Sequence, residues 1–107
     1  MNTQEQLKEF TLAAIEFLTL EQKAKTARTE YKHAMRNYMR NIPQVDSFRE
    51  ITETASFQAA TGLLYRIYRN RKYEAYKAKK RMLTRFNRLP DDVKSVHLLA
   101  KLAEVAA

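Results

Sequence analysis

The chain has 107 residues, the size of one domain, with one Gly, two Pro, no Cys and no Trp. The missing cysteines exclude disulfides, thiolate metal sites and a cysteine nucleophile, and no apolar run approaches the roughly 20 residues a membrane helix needs. A formal net charge of +8 with a pI of about 9.9 bears on partners, admitting nucleic acid, an acidic protein surface or an anionic membrane.

So few Gly and Pro leave few turns, and the abundance of Ala, Leu, Lys, Arg, Glu and Gln favours long helices. No stretch alternates polar and apolar residues long enough to be a convincing strand. At the N-terminus Thr3 with Gln6 has the spacing of a capping box. Apolar or small residues then recur at Leu7, Phe10, Ala14, Phe17, Ala24, Tyr31, Met35, Tyr38 and Ile42. These steps predict a first helix over about 4–41 with a heptad-like stripe, interrupted at Glu21 and Arg28. Pro43 disfavours helix at Ile42 and ends the segment. The N-terminal residues lack the basic start and apolar stretch of a secretory signal, so the expected location is cytoplasmic.

Ser47 with Glu50 forms a second capping box and predicts a second helix over about 47–88. Its stripe runs through Phe57, Ala60, Leu64, Tyr68, Ala75, Ala78, Met82, Phe86 and Leu89. Gly62 is a tolerated interior glycine, a kink or the C-cap of a shorter helix over 48–61, and one continuous or kinked helix is expected. Arg71 falls on the stripe and is expected to reach outward, with Glu16 or Glu21 as alternative partners. Leu89-Pro90 stops this helix, and Pro90, Asp91 and Asp92 open a short third one over about 91–105. The expected fold is all-α: one domain over 1–107, an antiparallel hairpin of two long helices with a third at its open end.

Charge supports that pairing. Residues 1–22 carry Lys8 against Glu5, Glu9, Glu16 and Glu21, a net −3, while 63–88 carry Arg66, Arg69, Arg71, Lys72, Lys77, Lys79, Lys80, Arg81, Arg85 and Arg88 against Glu74, a net +9. Residues 23–45 are net +5 and 46–62 net −2. Folding the helices back on each other sets opposite signs side by side. The same complementarity could join two chains, so a homodimer is also admissible.

The excess positive charge of the second helix is interleaved with tyrosines, a composition suited to phosphate contact and base stacking. On a helical wheel Arg66, Arg69, Tyr73, Lys77, Lys80 and Arg88 lie opposite Leu64, Ala75, Ala78 and Met82, with Tyr65, Lys72 and Tyr76 on the flank. Together with Arg81 and Arg85 these form the candidate surface for nucleic acid, bound with low sequence specificity, or for an acidic partner. The bland alternative is a solvated basic face with half-buried tyrosines. Leu12, Ile15 and Leu18 lie partly off the first stripe, so either the third helix covers them or they meet a partner.

No chemistry-bearing constellation stands out. Glu30 and His33 have the spacing of a carboxylate-bridged metal element, but His97 has Lys94 where a second copy needs Glu. A single Gly excludes Gly-rich phosphate loops. The expectation is a non-enzymatic binding protein without metal or cofactor, either a nucleic-acid binder or an adaptor or inhibitor docking on an acidic surface.

Overall fold

The computed structural model describes residues 2–40 and 54–95. Two long helices pack against each other, α1 over Thr3–Arg40 and α2 over Ala55–Asn87, and a short α3 begins at 91. There is no strand among the described residues. They form two compact units: 2–18 with 76–95, and 19–40 with 55–75.

Each helix start is closed by a side chain. Asn2 Oδ1, not Thr3, accepts the Glu5 amide at 2.8 Å and so satisfies an otherwise unpaired first-turn donor. Thr3 therefore lies inside α1, one position after the cap. At α2 the hydroxyl of Thr54 accepts the Phe57 amide at 3.2 Å, and its carbonyl accepts from Gln58 at 3.1 Å. This cap sets the start of α2 at Ala55, later than the 47 expected from sequence. The linker at Pro43 and the Ser47–Glu50 box lie outside the described residues. At its other end α2 closes with tightened turns, Arg88 donating to the Arg85 carbonyl and Leu89 to that of Phe86. The Pro90 carbonyl then accepts from Lys94 at 3.0 Å as α3 begins. The expected continuation of α3 to 105 lies outside the described residues.

Both long helices bury a 3-4 repeat. On α1 the buried positions Ala13, Ala24 and Ala27 are flanked by half-buried ones that include Leu7, Phe10, Ala14, Phe17, Leu20, Glu21, Tyr31, Ala34, Met35 and Tyr38. Glu21, half-buried beside Leu20, does stand in the stripe, whereas Arg28 is exposed and the buried Ala27, one residue earlier, takes its place. On α2 it runs through Phe57, Thr61, Leu64, Tyr68, Arg71, Ala75, Ala78, Met82 and Arg85, with Leu89 buried just past the helix end. Thr61 replaces the expected Ala60, which is exposed. The buried Thr61 hydroxyl donates to the Phe57 carbonyl at 2.9 Å, so its burial leaves no orphaned polar atom.

In the first unit Phe10 meets Phe86 with ring centroids 5.5 Å apart, and Glu16 accepts from Arg81 Nη2 at 2.7 Å. In the second, Tyr31 meets Tyr65 and Tyr68 at 5.1 and 6.3 Å, and Tyr38 meets Phe57 edge-on at 5.4 Å. In both, rising positions on α1 match falling positions on α2, the mark of antiparallel packing. The Glu16–Arg81 pair joins the acidic start of α1 to the basic end of α2, as the charge pattern predicts.

Gly62 does not end α2, which runs through it from Ala55 to Asn87. It sits buried in the helix interior, and no glycine among the described residues has positive φ. A Cβ added there would meet only Gln58 Oε1, at 3.7 Å, an ordinary contact. Gly62→Ala should therefore raise stability by about 0.5–1 kcal/mol, through helix propensity and a less flexible unfolded chain. Urea unfolding checks this: the midpoint should rise with an unchanged m-value.

Candidate polyanion-binding surface on the second helix

In the second unit, Arg66, Arg69, Lys72 and Tyr73 are exposed on α2, and Tyr65 is 40% exposed. The tyrosines here are engaged with their neighbours. Tyr31 of α1 stacks on Tyr68 with planes 14° apart and meets Tyr65 at 45°. The Arg69 guanidinium lies 5.8 Å from the Tyr65 centroid, and the Lys72 ammonium 5.9 Å from that of Tyr68. These are cation–π distances. The cluster is thus three rings with a cation over each of the two on α2.

In the first unit, Tyr76, Lys77, Lys80, Arg81 and Arg88 are exposed, and Arg85 is half-buried. Lys80 Nζ lies 4.8 Å from the Tyr76 centroid. An open depression of about 240 Å³ is lined by Lys80, Arg81, Thr84, Arg85 and Arg88. Arg81 and Arg85 differ from the rest of this set in facing α1. Arg81 is ion-paired to Glu16, and Arg85 lines a second depression with Glu9, Leu12, Ala13 and Glu16. Arg71, also in seam phase, reaches outward to Glu74 at 3.8 Å with its side chain 43% exposed. The partner is thus the next turn of its own helix, not Glu16 or Glu21.

One regularity ties these contacts together. These three ring–cation pairs each join a tyrosine to the basic residue four positions on: Tyr65 to Arg69, Tyr68 to Lys72, Tyr76 to Lys80. Tyr73 and Lys77 share that spacing. On a helix, i and i+4 are neighbours on one face, so the spacing in the sequence, beyond the interleaving of tyrosines with cations, carries the signal. Tyr68 and Tyr31, counted there as seam residues, belong to the surface by supporting it.

Leu12, Ile15 and Leu18 are 57, 56 and 63% exposed, so α3 as described does not cover them. Among the described residues no group of three or more His, Cys, Asp or Glu side chains gathers to hold a metal, and no helix is long and apolar enough to cross a membrane. No protein family, no curated protein and no solved structure matches this chain. Its class therefore rests on fold and surface alone: an all-α helical hairpin with a cation-rich second helix.

Burial raises the pKa of the Tyr31 hydroxyl above its ordinary 10.0, and the neighbouring Tyr65 adds to the rise. A raised folded pKa means the native state holds its proton where the unfolded chain has lost it. The resulting stability is fully present below pH 10 and is lost as pH rises through the folded value. Tyr31→Phe should flatten the alkaline fall in stability, seen as a smaller drop in urea midpoint between neutral pH and about pH 10.5.

Proposed function

We propose that this chain works by binding polyanions, nucleic acid foremost, through the cations of α2. The observation that carries the reading is the imbalance of charge on that helix. Arg66, Arg69 and Lys72 in one unit and Lys77, Lys80 and Arg88 in the other are exposed, while Glu74 is the sole acid of α2 and faces Arg71. Fixed cations of this density displace condensed counterions from a phosphate backbone, which gives affinity that falls steeply with salt. Lys and Arg presented in this way contact phosphates and carry little base information, so low sequence specificity follows.

Replacing Arg66, Arg69, Lys77 and Lys80 together by Glu should weaken binding of labelled DNA or RNA by about a hundredfold or more at low salt. Their exposure means helix content should be unchanged, which circular dichroism checks. Retained affinity in a folded variant would overturn the reading.

A second reading has its own support. Leu12, Ile15 and Leu18 give α1 an exposed apolar strip in the first unit. An adaptor or inhibitor would use such a strip as the dry centre of an interface and the basic face as its steering rim, against an acidic protein surface. Ile15→Ser with Leu18→Ser separates the two. A nucleic-acid binder keeps its affinity within about twofold, whereas an adaptor loses its partner by about tenfold or more.

A further inference from the structure

A protein that holds single-stranded nucleic acid normally combines a basic groove with open aromatic faces on which successive bases stack. Three of the four tyrosines of α2 are arranged otherwise. Tyr65 is flanked by the ring of Tyr31 and the guanidinium of Arg69. Tyr68 is stacked on Tyr31 and approached by Lys72. Tyr76, although 52% exposed, has the Lys80 ammonium over its ring at 4.8 Å. A base arriving at any of these rings competes with a cation already there.

The same contacts act on the cations. Lys and Arg are long and flexible, and ordering them against a ligand has an entropic cost. A ring four residues back holds each head group near one position before any ligand arrives. Tyr65, Tyr68 and Tyr76 are then positioning residues for charge, and their rings are not a platform for bases.

We infer that α2 takes double-helical nucleic acid by its phosphates, and that the unstacked bases of a single strand are not its ligand. This rests on the polyanion reading above and narrows it. A duplex presents about one charge per 1.7 Å of axis, and its bases are already stacked on each other. It therefore offers the most to a surface of held cations, and loses little where three of the four rings on α2 already carry a neighbour. A single strand offers charge alone here, without the stacking that normally supplies much of its affinity.

The chain has six Tyr and no Trp, so its intrinsic emission is that of tyrosine. The full chain is titrated with a short labelled DNA duplex and, separately, with one of its strands, at equal ionic strength. Anisotropy of the label and tyrosine emission are followed together. The duplex is expected to bind about tenfold or more tighter than the strand, with tyrosine emission unchanged on binding either. Tyr76→Leu should weaken duplex and single-strand binding by the same factor, within about twofold, because it releases Lys80 and removes no stacked base. Equal or tighter binding of the single strand, or loss of tyrosine emission when it binds, would overturn the inference and leave the polyanion reading standing. Failure of both probes to bind at low salt would remove the polyanion reading itself, and this inference with it.

Discussion

The packing of α1 on α2 depends on a seam whose fully buried members are mostly alanines. Ala13, Ala24, Ala27, Ala75 and Ala78 are each no more than 9% exposed, and among the described residues only Phe57 and Leu89 are large apolar side chains buried to that degree. Small side chains let two helical backbones approach closely and gain dispersion contacts along their length. They also bury little apolar area apiece. A seam of this kind aligns the helices through its 3-4 repeat but leaves larger side chains at its margins.

Those margins carry the rest of the architecture. In the second unit the Tyr31, Tyr65 and Tyr68 rings and the Tyr38–Phe57 pair add apolar area beside the alanines. In the first, Phe10 and Phe86 do the same, and Glu16 with Arg81 fixes which ends meet. That ion pair is surface-exposed and worth at most about 1 kcal/mol, so it selects orientation more than it stabilises. The tyrosines have a double role: rings that flank the seam also receive the cations one turn further along α2. Packing and charge placement are thus linked in the same side chains.

Because the seam uses one narrow stripe of each helix, most of each helical surface stays outside it. On α2 that surface is basic; on the N-terminal part of α1 it includes an apolar strip at Leu12, Ile15 and Leu18. Neither feature contributes much to holding the helices together. A cation-rich surface costs self-repulsion in the folded state, and an exposed leucine gains nothing from folding. Surfaces of this kind are explained more readily by what they meet than by what they hold in place.

The all-helical class, the long helices, the stop at Leu89-Pro90 and the antiparallel sense were legible in the sequence, since propensity, proline and segregated charge are local or one-dimensional properties. The basic, tyrosine-rich content of 65–88 was legible for the same reason. The phase of the seam was not. Ala27 against Arg28 and Thr61 against Ala60 differ by one residue, about 100° of helical rotation. Composition does not resolve a shift that small when small residues lie on both sides of the true stripe. Which cations reach solvent and which turn to α1, as Arg81 and Arg85 do, depends on where the partner helix lies. So does the pairing of Tyr31 with Tyr65 and Tyr68, three rings from two distant segments. Local sequence determined which groups the chain carries; the packing of one helix on the other decided which of them face outward, because that choice is made by the partner's surface and not by the residue's own neighbours.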